Sequence, residues 1–323
     1  MQMKSQLMVA AFAGSLVLAP LSLMAQTPAP GGQPGAAQGQ APGAQPGAAG
    51  RGRGGADAQG GGGQGDPYEG KKKLLIWVDV QTGFHHDSVN HAMGVIEQLG
   101  RKSGAYVSFI RTDSQLITKT PISVVSARYA TGRINARNID YFDAIFALGS
   151  GEGTLTEKQK ADLLAFVRDD GKGLILGHAE GVNFYNWPEF GKMIGGFMEG
   201  EFPATGMPVV VKDPSWKAAA AFGKEFFWTD QLPYVKADFK PGDVHTIIAL
   251  DPSKMTAEQI TRTKRTDNYY PVVWAKMYGK GRVFNLTAGH NDATLDDPKT
   301  QALFLEGIQW ALGNTTENVT PDK

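Results

Sequence analysis

GLILGHAEG, Gly173 to Gly181, is a short apolar run closed by two glycines four residues apart, Gly177 and Gly181. Four uninterrupted apolar or small residues fit a strand covered on both faces better than an alternating surface strand. Gly-x-x-x-Gly at the end of such a strand is the spacing of a nucleophile elbow, the sharp strand-to-helix turn of Gly-x-Ser-x-Gly enzymes. The nucleophile position here holds Ala179, which has no reactive atom. The spacing of the turn is present and its usual chemistry is not.

The flanking sequence repeats the pattern. KLLIWVDV, from Lys73, AYVSFIRT, from Ala105, and YFDAIFALGS, from Tyr141, are three further apolar strands. Between them, Val89, Met93, Ile96 and Leu99 fall at helical spacing, with Asp87 or Ser88 as cap and Gly104 as stop. A second helix follows the third strand, with a Thr156/Gln159 capping box and Gly171 as stop. Strands alternating with helices across short loops predict a parallel sheet with right-handed crossovers, an α/β fold. Residues 183–267 are irregular apart from strands in PVVVKD and VHTIIAL. YYPVVWAKMYGKGRVFNLTAGH then reads as two strands around a tight YGKGR turn, an antiparallel hairpin. A last helix has Asp297 as cap, Pro298 in its first turn and Gly313 as stop.

The 323-residue chain carries 32 basic and 32 acidic residues, so its formal net charge is zero, and no dense basic patch argues for nucleic acid. It has no cysteine, which excludes disulfides, thiolate catalysis and cysteine-held metal centres. Residues 1–25 have the lysine, apolar core and small-residue end of a secretory signal peptide, cleaved near Ala25, which implies a periplasmic protein with no stable membrane insertion. The rival reading is an uncleaved membrane anchor. Residues 26–68 are rich in Gly, Pro, Ala and Gln and too poor in apolar side chains to offset ordering entropy, so a disordered linker is expected. The ordered domain is expected over residues 69–315, with 316–323 as a flexible tail.

Ligands of open parallel sheets bind beyond the carboxyl ends of the strands. Four loops meet that condition: TGFHHDS (82–88), GSGEG (149–153), GHAEG (177–181) and TAGHND (287–292). Four of the six histidines, His85, His86, His178 and His290, lie in these loops, and only His91 and His245 do not. Imidazole titrates near neutral pH, so a convergence of histidines points to proton transfer or metal ligation. Asp87 fits a helix cap and Glu152 a loop surface. Outside the loops, Trp187 in FYNWPEF, and Asp230 and Tyr234 in DQLPY, are pocket candidates beside ordinary packing roles.

Taken together, GFHHDS, LGHAEG, FYNWPEFGKMIGG, DQLPY and the hairpin ending in TAGH, with a terminal GIQWALG, resemble the ThuA-like, trehalose-utilisation family over about residues 72–313. The resemblance implies a class I glutamine amidotransferase-like fold, a flavodoxin-like three-layer sandwich with a mostly parallel sheet. It also implies that Ala179 is normal, because these members lack the cysteine of active amidotransferases. Gly83, Phe84, His85 and His86 match the family's Gly-Phe-Arg-His, with His85 in place of Arg. Leu176 to Ala179 match Gly-x-His-Ala with a changed order. Asp230, Gln231 and Tyr234 resemble Asp-Glu-x-Tyr, with Gln for Glu and one extra residue. Ala288, Gly289 and His290 match Leu-Gly-His.

The family implies sugar catabolism alongside an oxidoreductase that makes 3-keto glycosides. A 3-keto group acidifies the C2 hydrogen, so the glycosidic oxygen can leave by elimination without any nucleophile. On this reading His86, His178, His290 and Glu180 are the catalytic candidates, and His85, Asp230, Tyr234, Trp187 and Asn291 are the substrate contacts. Two alternatives stay open: a non-catalytic sugar-binding module, and a divalent-metal hydrolase with zinc on His86, His178 and His290.

Overall fold

The apolar runs become the centre of a single nine-stranded sheet in the computed structural model, which describes residues 66–124, 133–135, 137–178, 181 and 183–323. In chain order the elements begin with β1 (Lys73–Trp77), α1 (Val89–Ser103), β2 (Val107–Arg111), the small pair β3 (Ile122–Val124) and β4 (Arg133–Asn135), and β5 (Ala144–Ala147). Next come α2 (Glu157–Arg168), β6 (Gly173–Leu176), α3 (Pro188–Ile194), β7 (Met198–Glu201), β8 (Met207–Val211), α4 (Lys217–Ala220), β9 (Glu225–Trp228) and β10 (Pro233–Val235). The chain closes with β11 (His245–Leu250), α5 (Ala257–Arg262), β12 (Pro271–Tyr278), β13 (Gly281–Leu286), α6 (Asp292–Asp296) and α7 (Pro298–Ala311). The proposed signal peptide, residues 26–65 of the linker, and both Ala179 and Glu180 lie outside the described residues.

Strand order is β2-β1-β5-β6-β13-β12-β11-β8-β9. The first five strands pair in parallel, from β2 through β13. From β13 outward every pair is antiparallel. The parallel core is the half that the strand–helix alternation predicts. The antiparallel extension accounts for much of the stretch expected to be irregular, residues 183–267, which also holds α3, α4, α5 and the separate β7–β10 ribbon. Its elements are short and separated by turns, so no long periodic pattern marks them.

Alternation along the parallel strands explains the three layers. Leu74, Ile76, Phe146 and Ile175 face one core, with Ile96 and Leu99 of α1 and Leu303 and Ile308 of α7. Leu75, Trp77, Ile145, Leu174 and Leu176 face the other, with Leu163 and Phe166 of α2 and Phe190 and Met193 of α3. Both faces of β1, β5 and β6 are buried, which is why those runs are apolar without a period of two. The helix signals mostly hold. Thr156 and Gln159 form the capping box of α2, and Asp297 caps α7 with Pro298 in its first turn. Ser88 stands at the start of α1 but makes no side-chain capping bond.

Gly307 of α7 lies where the helix crosses β13, and a Cβ there would overlap the Phe284 ring. Gly307→Ala is therefore expected to destabilise the protein by about 1–3 kcal/mol through overpacking, despite alanine's better helix propensity. Urea unfolding checks this, and a variant as stable as wild type would contradict the close crossing.

The expected flexible tail, 316–323, is instead tied to the sheet. Asp322 donates its backbone N–H to Val244 and accepts from the Tyr269 hydroxyl at 3.0 Å, and the Thr320 carbonyl lies 2.9 Å from His245 Nδ1. Its polar side chains satisfy the start of β11, a role that composition does not reveal. Among the described residues no helix is long and apolar enough to cross a membrane.

Candidate functional site

β1, β5, β6 and β13 are parallel, so their carboxyl ends share one edge and their loops gather there. The loop after β1 carries His86, the turn after β6 carries His178, and the loop after β13 carries His290. The loop after β1 is tied to the loop after β5 by polar contacts. Ser150 donates its hydroxyl to the Phe84 carbonyl at 2.5 Å, and Gly153 N–H donates to Thr82 Oγ1 at 2.7 Å. Asp79, buried just past β1, accepts from Ser114 Oγ at 2.6 Å and Thr154 N–H at 3.0 Å. This carboxylate braces the loops.

The three histidines meet. One ring nitrogen or the other from each of His86, His178 and His290 lies within 4.8 Å of the rest. Ring centroids are 5.0 Å apart for His86–His178, 5.2 Å for His86–His290 and 5.0 Å for His178–His290. His178 is only 2% exposed. Its Nδ1 sits 2.7 Å from the Thr287 carbonyl oxygen, so Nδ1–H donates there and Nε2 keeps its lone pair toward the cluster. That Nε2 is 3.1 Å from His290 Nδ1.

Burial lowers both His178, to about 3, and His86, to about 4, with the neighbouring imidazoles adding to the effect. Desolvation disfavours the charged ring, and a second positive ring close by disfavours it further. Both are therefore neutral at pH 7, the state suited to ligation and to accepting protons.

A carboxylate that sequence reasoning did not single out completes the cluster. Glu201 Oε1 lies 3.8 Å from His178 Nε2. Its Oε2 accepts from Gln231 Nε2 at 2.7 Å. Burial raises its pKa above the ordinary glutamate value, and Asp230 adds to the rise against the opposing effects of His290 and the Gln231 bond. Glu201 arrives on the β7–β10 ribbon, where it pairs with Pro233. The ribbon reaches the site because Gly181 leaves room for Met198: a Cβ on Gly181 would overlap the Met198 side chain.

The expected substrate contacts divide. Asp230 is fully buried and braces the last loop. It accepts from Gly289 N–H at 2.5 Å, His290 N–H at 3.3 Å, Asn291 Nδ2 at 3.0 Å and Gln231 N–H at 2.8 Å. Asn291 spends its amide on Asp230 and, at 2.9 Å, on capping α6 through Thr294 N–H. Both residues hold His290 in place. Tyr234 is 8% exposed and packs on Phe202 at 4.9 Å. Trp187, partly buried, stacks on Phe190 and meets Phe184 edge-on at the border of the core that α2 and α3 cover. Both rings have aromatic packing partners. His85 is exposed beside Phe84. A cleft of about 550 Å³ is lined by Phe222, Phe226, Phe227, Trp228 and Asn291.

Fold and site together define a flavodoxin-like α/β protein whose sheet-edge cluster contains three histidines. The family model described as trehalose utilisation, ThuA, matches residues 73–311, and the chain belongs to that family. The family gives it a carbohydrate-related role. Among solved structures, a ThuA-like protein from Parabacteroides merdae superposes with a TM-score of 0.54 at 16% identity, over 77% of this chain and 92% of that one. A ThuA-like protein from Bacteroides uniformis gives a TM-score of 0.54 at 17% identity, over 77% and 95%. At that identity the two bear on the fold alone. No curated protein matches the chain.

Proposed function

We propose that the chain processes an oxidised, 3-keto glycoside by proton transfer at the three-histidine site. The observation that carries this reading is the convergence of His86, His178 and His290 on one point beside the half-buried carboxylate of Glu201. An N–H of the partly exposed His86 polarises the keto oxygen and holds charge as it develops there, while His178 Nε2, an acceptor, orients its neighbours. Glu201 takes the C2 proton, the electron pair of that C–H bond forms the C1–C2 double bond, and the glycosidic oxygen departs with its bonding pair. Glu201 then returns the proton to that oxygen, so the balance closes without oxidant, nucleophile or water. A carboxyl whose pKa is raised toward neutrality suits both halves of the transfer.

The test is incubation of the purified full chain with 3-keto-trehalose and, separately, unoxidised trehalose in D₂O, followed by NMR. Consumption of the keto sugar alone is expected, with Glu201→Gln about 100- to 10,000-fold slower. Absence of both consumption and deuterium uptake at C2 would refute the proposal.

A further inference from the structure

We propose that His86, His178 and His290 form a site for one divalent ion of the zinc class, held by three imidazole nitrogens with a fourth position open. The site's existence rests on geometry alone. Its role, polarising the substrate's keto oxygen at the open position, rests on the keto-sugar reading above.

The rings stand at 88°, 90° and 78° to one another, three nearly perpendicular plates around a common corner. Edge-to-face packing of aromatic rings gives the same angles, so it is the spacing of the rings that argues for a shared centre. A tetrahedral ion about 2.0–2.1 Å from each nitrogen, with a ring centre roughly 1.1 Å beyond it, places the centroids about 5.2 Å apart. A facial octahedral set brings them to roughly 4.6 Å. The observed centroid distances are 5.0, 5.2 and 5.0 Å, close to the tetrahedral value.

Nitrogen positions agree for the inner pair. His178 Nε2 and His290 Nδ1 are 3.1 Å apart, against roughly 3.4 Å on a tetrahedral zinc. His86 closes the set from a partly exposed loop, where rotation of its ring brings its nitrogen in from no more than 4.8 Å.

Outer contacts of the kind that orient metal ligands are already in place. The Thr287 carbonyl fixes the His178 tautomer and turns Nε2 inward. Asp230 fixes the backbone that carries His290. Glu201 stands 3.8 Å from His178 Nε2, on the side of the cluster where a cation would gather an anionic neighbour.

The rival account is a metal-free cluster in which His290 Nδ1–H donates to His178 Nε2. That bond explains one pair, and Phe84 packs edge-on against His86, but neither contact accounts for nitrogens from three separate loops lying within 4.8 Å of one another.

The full chain, prepared without a histidine tag and stripped with a chelator, is titrated with Zn²⁺ by calorimetry and with Co²⁺ by visible absorption. One equivalent is expected, with the intense visible bands of tetrahedral cobalt. His290→Ala is expected to weaken binding by about 100-fold or more. His86→Ala, on its partly exposed loop, is expected to do the same while leaving the thermal unfolding of the stripped protein unchanged. No binding, or binding that survives both substitutions unaltered, would overturn the site. Keto-sugar turnover without metal binding removes the ion and leaves the proposed function standing. Stoichiometric binding without turnover does the reverse.

Discussion

His178→Ala is expected to lower turnover of the 3-keto glycoside by about 100- to 1,000-fold, because its Nε2 holds the His290 ring in place and the oxyanion-stabilising cluster is lost with it. The loss should fall on kcat more than on KM, because the imidazole cluster acts on charge that appears only in the transition state. Stability should fall far less. The substitution removes a buried ring and orphans the Thr287 carbonyl, which costs about 1–3 kcal/mol. A second readout belongs to this residue in particular. His178 has its folded pKa depressed from 6.5 to about 3 by burial. Between those values the unfolded chain binds the proton and the folded protein does not, so the wild-type protein loses stability as pH falls below about 6.5. Above that pH neither state is charged and the effect vanishes. His178→Ala should flatten this acid limb, leaving the smaller contribution of His86, whose pKa is depressed to about 4. Urea midpoints from pH 7.5 to pH 4.5 measure it. An acid limb unchanged in the variant would show that His178 is not buried as a neutral ring.

The parallel half of the fold was legible because burial on both faces writes itself into consecutive residues. GLIL and KLLIW needed no partner to be recognised as covered strands. The histidine loops were legible for a related reason: a parallel sheet sends every carboxyl end to the same edge, so strand ends in the sequence become neighbours in space. Glu201 was not legible. It reaches His178 through a two-stranded ribbon outside the main sheet, and nothing within FMEGEF distinguishes Glu201 from the surface-side Glu199. Glu199 is partly exposed and pairs with Lys264, while Glu201 faces the cluster. Two residues apart, they would share a face of a regular strand; the register shift of the ribbon falls at Glu199, and their partners differ. Trp187 and Tyr234 show that a residue type does not tell packing from binding. Large aromatics near polar residues fit a binding platform, yet their rings are taken up by Phe190 and Phe202. Of the antiparallel strands, the β12–β13 hairpin, β11 and β8 were legible, whereas β7, β9 and β10 were obscure because each has only three or four residues.

Asp230 is the residue whose loss should most damage the protein as a folded object. It was expected among the substrate contacts, and its position explains why removing it reaches further than a lost contact would. The carboxylate is fully buried and accepts four hydrogen bonds, from Gln231 N–H, Gly289 N–H, His290 N–H and Asn291 Nδ2. Hydrogen bonds to an ionised acceptor are about twice as strong as neutral ones, and donors left without water carry their full desolvation cost. Asp230→Ala orphans all four donors at once and is expected to destabilise the protein by about 3–5 kcal/mol. Asp230→Asn keeps the volume and one acceptor oxygen but turns an amide NH₂ toward the other two donors, so it should recover only part of the loss. The damage should also pass to the site, because the loop that loses its anchor carries His290. Binding of Zn²⁺ and turnover should therefore weaken even in the fraction that remains folded, and Asp230→Asn should improve both. Urea unfolding gives the stability change, with an unchanged m-value showing that the native fold is the state being lost. A variant that unfolds at the wild-type urea concentration would mean that water or a neighbouring side chain replaces the carboxylate, and that Asp230 does not hold the loop.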